Sequence, residues 1–225
     1  EGYNVAIGYE AGKSVSTGVE NTILGGLAGD SLTTGNSNTA LGYHSLGAED
    51  TGSRAVAIGY GALFAQNYDG NSYNVAMGYD AGKAITTGIR NVLIGGLAGD
   101  ALTTGSSNIA IGLQALSTED EHGFNIAIGH NALASQNAGA DAYNVAIGHL
   151  AGEDITTGTL NTIIGGLAGD ALTTGAANTA LGKGALSTED TGNYNTAIGY
   201  HALHALDNAT GHNTVIGFDS GKTMT

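Results

Sequence analysis

Two glycine-flanked lysines are the first residues of this chain that could do chemistry: residues 8–14 read GYEAGKS and residues 217–223 read GFDSGKT. A loop of that kind can cradle phosphate on backbone N–H groups ahead of a helix. Here the Gly-to-Gly gap is one residue short and no helix-forming run follows, so both segments read as repeat corners. Carboxylates come next. Asp30, Asp100 and Asp170 share one repeating position, as do the pairs Glu49-Asp50, Glu119-Asp120 and Glu189-Asp190. Paired carboxylates can divide the acid and base work of glycoside hydrolysis. Convergent carboxylates can bind calcium, which takes about six to eight oxygens. The three Asp residues, however, stand four coils apart, roughly 19 Å, and only Glu153 lies near one of them, Asp170. A Glu-Asp pair repeated three times reads as architecture, a solvated acidic belt. No catalytic, cofactor-binding or metal-ligating residue is therefore predicted.

Aromatic residues give the sharper expectation. Tyr43, Tyr60 and Tyr79 fall at one position of successive coils, and His130 and His149 do the same further along. Rings one coil apart should stack into a ladder, which covers an apolar edge and can also stack on sugar rings. Two imidazoles alone do not make a metal site. This edge is the predicted recognition surface. Paired threonines, such as Thr33-Thr34 and Thr103-Thr104, raise ice binding, but the array is interrupted in half of the coils.

What must position these residues is a repeat. NVAIG at residue 4 recurs with close variants at 21, 38, 55, 74, 91, 108, 125, 144, 161, 178, 195 and 213. Thirteen coils of about 17 residues result, grouped into a supercycle of four coils and about 70 residues. Counting from the first residue of each coil, position 0 is Asn in twelve of thirteen, including Asn4, Asn21, Asn38, Asn74 and Asn91. Stacked Asn side chains can form a hydrogen-bonded ladder that pins a turn. Position 4 is Gly in every coil, from Gly8, Gly25, Gly42, Gly59 and Gly78 onward, and Gly can turn a corner that L-residues resist. A second corner, Thr-Gly, follows in eight coils. Position 1 is always β-branched and position 3 always a long aliphatic, which favours strands over helices. The predicted fold is all-β: a parallel β-solenoid over residues 1–225 as one repeat domain, a rod on the order of 60 Å long.

Composition narrows the partners. The formal net charge is -14, with 6 basic against 20 acidic residues, which disfavours nucleic acid and anionic membrane. There is no Cys, so disulfides and thiol chemistry are excluded, and no apolar run approaches the ~18 residues of a membrane span. The 39 Gly could suggest a flexible chain, but they recur at fixed corners and Pro is absent, as a strand ladder requires. The chain begins with Glu and neither terminus carries a cap, since the last coil stops mid-turn at Thr225. A segment cut from a longer array is expected, or one whose ends stack on neighbours in a filament.

Side chains alternate across a strand, so positions 1 and 3 face one way and position 2 the other. Both sets are apolar, which means burial on both faces. The expectation is that positions 1 and 3 pack inside the coil against Val15, Leu32, Ile85 and Leu102. The small face, with Ala6, Ala40, Ala57 and Ala76, would then pack against other copies of the chain. The motif N-V-A-I-G-Y-x-A with its following Gly corner resembles the head repeats of trimeric autotransporter adhesins, the YadA-like head, and it covers all thirteen coils. Similar repeats occur in bacteriophage tail fibres. The resemblance implies a left-handed parallel β-roll, three chains side by side, and an extracellular adhesin or virion fibre without enzymatic activity. Its partners would be its own copies and a host-cell or matrix receptor, such as a glycan. Alternatives are a filament subunit, or a solenoid that binds or cleaves polysaccharide.

Overall fold

The computed structural model describes residues 2–205 and 211–222. Among them are thirteen strands of three residues each and no helix. The strands are β1 (Val5–Ile7), β2 (Thr22–Leu24), β3 (Thr39–Leu41), β4 (Val56–Ile58), β5 (Val75–Met77), β6 (Val92–Ile94) and β7 (Ile109–Ile111). They continue as β8 (Ile126–Ile128), β9 (Val145–Ile147), β10 (Thr162–Ile164), β11 (Thr179–Leu181), β12 (Thr196–Ile198) and β13 (Thr214–Ile216). The chain divides into two compact units between Ala110 and Ile111. In the first, β1 to β6 pair in parallel with neighbours in sequence, as in Val5↔Thr22 and Ala40↔Ala57. In the second, β8 to β13 do the same, as in Ala127↔Ala146 and Leu181↔Ile198. The protein is a parallel β-solenoid with coils of about 17 residues.

Both predicted pinning devices operate. Asn38 Oδ1 accepts the Ala55 N–H of the next coil at 2.9 Å, while its Nδ2 donates to the Gly52 carbonyl of its own coil at 2.8 Å. Asn21, Asn74 and Asn91 repeat the arrangement, and Asn4 does so at the first coil. The amide thus ties the second corner to the start of the following strand. The position-4 glycines are required twice over. Gly8 and Gly25 both have φ +138, and a Cβ on either would fall 2.5 or 2.6 Å from the carbonyl oxygen of the glycine one coil on.

Other corners carry no glycine signal. Leu27 (φ 55), Leu46 (φ 53) and Ser37 (φ 57) are left-handed although each bears a Cβ. Such a residue costs about 1–2 kcal/mol, so neighbours must fix it. The N–H of each is held by the next or preceding coil, on the carbonyls of Tyr9, Ala62 and Val19 at 2.8–3.0 Å.

The facing of the strands reverses the expectation. Position 2 points inward: Ala40, Ala57, Ala76 and Leu93 are fully buried, and Ile23 is 1 % exposed. Positions 1 and 3 point outward, with Val5, Leu24 and Met77 at 50, 41 and 39 % exposure. Ala6, in the first coil, is exposed. The reason is volume. A 17-residue coil must also house positions 7, 8 and 11, so its interior accepts the small strand face and excludes the broad one.

The same volume explains the four-coil period. In the first and second coils of each cycle position 8 is Gly (Gly82, Gly99) and position 11 is aliphatic (Ile85, Leu102). In the second coil Ile23, Leu93 or Ile163 also replaces the position-2 Ala. These side chains fill the space next to the glycines: a Cβ on Gly82 would lie 2.6 Å from Leu93 Cδ1, and one on Gly99 2.9 Å from Leu102 Cδ1. In the third and fourth coils a buried Leu takes position 8, as Leu46 and Leu63 do, and position 11 becomes the buried Glu49 or Gln66.

Candidate functional site

Position 5 follows the invariant glycine corner, so its side chain leaves the roll at an edge, and successive coils set these side chains one above another. In the first unit Tyr43, Tyr60 and Tyr79 form the expected ladder, with ring centroids 5.5 and 5.4 Å apart and planes within 21 and 13°. Each ring stays about half exposed. His130 and His149 stack likewise in the second unit, at 5.4 Å and 12°. This spacing matches the rise between paired strands plus a small ring offset.

Beside the ladder lies a cavity of about 220 Å³ lined by His44, Tyr60, Gly61, Phe64, Asp80 and Lys83. Aromatic faces make one wall: Phe64 is edge-on to His44 at 5.5 Å, and His44 edge-on to Tyr43 at 4.5 Å. Asp80 and Lys83 make its lining ionic as well. Lys83 Nζ donates to Asp80 Oδ2 at 2.8 Å, and this bond holds the lysine above its usual pKa range. Asp80 is 4 % exposed, and its Oδ1 is buried without a hydrogen-bond partner, as is His44 Nδ1. The cavity therefore offers apolar ring faces, an acceptor and a cation from three successive coils. That combination suits a pyranose ring, which presents an apolar C–H face and hydroxyl edges.

The GYEAGKS-like segments gain a role here. Acid and lysine three residues apart close an ion pair at the corner, in these two segments and in residues 78–84, which read GYDAGKA: Glu10–Lys13 at 2.7 Å, Asp219–Lys222 at 3.2 Å and Asp80–Lys83 at 2.8 Å. No helix follows any of them among the described residues, and Thr223 lies outside those residues.

The acidic belt needs a correction. Glu49, Glu119 and Glu189 are fully buried, while Asp50 and Asp190 face solvent. Position 11 points into the roll, and the adjacent turn folds N–H donors over the carboxylate. Glu49 accepts from Gly52 N at 2.8 Å and Asp50 N at 3.2 Å on one oxygen, and from Gln66 Nε2 at 2.8 Å on the other. Burial nevertheless pushes its pKa up, with these hydrogen bonds opposing. Of the repeated aspartates, Asp30 lies 3.6 Å from Lys13, while Asp100 and Asp170 are raised by burial.

His44, Phe64, Asp80 and Lys83 did not stand out from the sequence. The available signal was departure from the repeat: the second cycle has Gln114, Ala134, Leu150 and Glu153 at those positions. Among the described residues no helix is long and apolar enough to cross a membrane. No family model matches the chain, and no curated protein or solved structure is detectably similar to it.

Proposed function

We propose that this chain is a non-enzymatic adhesive fibre segment, a homotrimeric solenoid displayed on a cell surface or virion. The observation that carries the reading is the outward strand face. Val5, Ile7, Leu24, Leu41 and Met77 stand exposed in adjacent rows in the first unit, and Leu181 and Ile216 are exposed on the same face in the second. Contiguous aliphatic rows of this kind mark an interaction surface. Other copies of the chain are the fitting occupant, because the same face recurs in every coil and can meet itself in register. Three copies follow from the resemblance to the adhesin heads and tail fibres.

The Tyr43, Tyr60 and Tyr79 edge and its cavity, with His130 and His149 as the second unit's ring edge, supply the surface for a glycan or matrix receptor. Sedimentation equilibrium at micromolar concentration should return three chains, and Leu24→Glu with Met77→Glu should return one; a wild-type monomer rejects the trimer. Replacing Tyr43, Tyr60 and Tyr79 together with Ser should abolish binding to glycan arrays or host cells. Unchanged adhesion rejects that edge as the recognition surface.

A further inference from the structure

Three turns occupy the same place in successive cycles: residues 49–52, 119–122 and 189–192. In the first and third a buried glutamate closes on a glycine N–H, Gly52 at 2.8 Å and Gly192 at 2.6 Å. A Cβ on either glycine would lie 2.5 Å from the carboxyl carbon of that glutamate. The middle turn puts His122 there instead, and reads Glu119-Asp120-Glu121-His122. His122 N donates to Glu119 Oε1 at 3.2 Å, and His122 Nδ1 lies 3.3 Å from the same oxygen. Glu119, Asp120 and His122 each bring one ligand atom into a group whose members all lie within 4.8 Å of one another.

A second observation concerns the inside of the roll. Glu119 is fully buried, and its Oε2 has no hydrogen-bond partner. In the first cycle Gln66 satisfies the matching oxygen of Glu49 at 2.8 Å, but its counterpart Gln136, also fully buried, leaves Nε2 without a partner. A desolvated carboxylate oxygen of this kind is expensive unless a cation or donor meets it. Glu189 Oε2 is likewise without a partner, yet Gly192 and Thr191 offer no imidazole or carboxylate beside it, so that turn is an internal control.

We propose that Glu119, Asp120 and His122 form a binding site for one divalent transition cation of the zinc type. One imidazole and two carboxylates suit zinc, and the imidazole selects against calcium and magnesium, which prefer oxygen alone. Zinc takes such ligands at about 2.0–2.2 Å, which side-chain rotation can reach from this spacing, with water completing the coordination. The ion neutralises the buried carboxylate and ties the turn to the roll. Residues 119–122 lie in the second unit, and the site does not depend on the adhesive reading.

The test is isothermal titration of the full chain, free of any added histidines, with Zn²⁺ at slightly alkaline pH where imidazole is neutral. One Zn²⁺ per chain is expected, together with a rise in resistance to unfolding. His122→Gly, which restores the residue found at Gly52 and Gly192, should abolish binding. Asp120→Asn should weaken it at least tenfold, and Co²⁺ should give a visible ligand-field spectrum in wild type alone. Absence of Zn²⁺ binding in wild type overturns the proposal. So does wild-type affinity in either variant, which would assign the ion elsewhere, for instance to His130 and His149. Should His122→Gly fail to fold, Asp120→Asn decides.

Discussion

The coils that begin at Asn74 and Asn91 fill their interior with Ile85, Leu93 and Leu102 and keep glycine at 82 and 99. Those that begin at Asn38 and Ala55 fill the same space with Leu46 and Leu63 and seat Glu49 and Gln66 where the others carry aliphatics. Strand register is shared by both, and the Asn ladder by all of these coils except the one that begins at Ala55. The backbone of this roll therefore specifies a volume, and two different sets of side chains supply it. The second set includes a carboxylate. That is possible because the third-coil turn wraps its own N–H groups around Glu49, an arrangement closed to an aliphatic residue and unnecessary for one.

The comparison breaks most sharply at Leu93, the aliphatic that lies against both Gly82 and Gly99. Leu93→Ala should cost about 3 kcal/mol, within the range for buried Leu truncation, because Gly82 and Gly99 beside it cannot collapse into the cavity. Urea denaturation measures it, and a loss below 1 kcal/mol would mean the glycine-bearing coils are not volume-limited. Next is the exchange of one set for the other. Gly99→Leu alone should cost about 2 kcal/mol through overpacking against Leu93 and Leu102. The triple variant Gly99→Leu, Leu93→Ala, Leu102→Gln converts that coil to the other composition and should recover most of the loss. If it does not, the two side-chain sets are tied to differences in backbone as well as in volume.

The smallest effect is electrostatic. Burial raises Glu49, Asp100 and Asp170 in the folded chain above their ordinary values. The folded state then holds more protons than the unfolded one between the ordinary and the raised pKa, so stability falls as pH rises through that window. Lowering the pH from neutral toward the ordinary carboxylate range should raise the melting temperature. Asp100→Asn with Asp170→Asn should flatten the slope. An unchanged slope would place the effect in the net charge of -14 rather than in these buried groups.

Much of this was legible in advance because a repeat averages out noise. The recurrence of Asn and Gly gave the coil length, both pinning devices and the parallel pairing, since residues one period apart must be neighbours. The Tyr43, Tyr60 and Tyr79 ladder followed from the same spacing. Facing did not, because both strand faces are apolar and alternation alone cannot tell inside from outside. The clue lay across the coil, in the inverse pairing of Gly or Leu at position 8 with aliphatic or polar residues at position 11, which every coil but the twelfth keeps. A Glu-Asp pair reads as solvated because it is charged on paper, whatever wraps it, and the buried glutamates carry no local mark of the turn that encloses them. His44, Phe64, Asp80 and Lys83 come from three coils, and only the stacking brings them to one cavity.

The sequence by itself determined the period, the strands and the two main corners, because each is a local preference repeated along the chain. Tertiary structure decided which strand face fills the roll, which carboxylates leave water, and which L-residues are held left-handed. Those outcomes depend on how much space one 17-residue coil encloses and on which N–H groups the next coil supplies. Both are properties of stacked coils, and no single coil contains them.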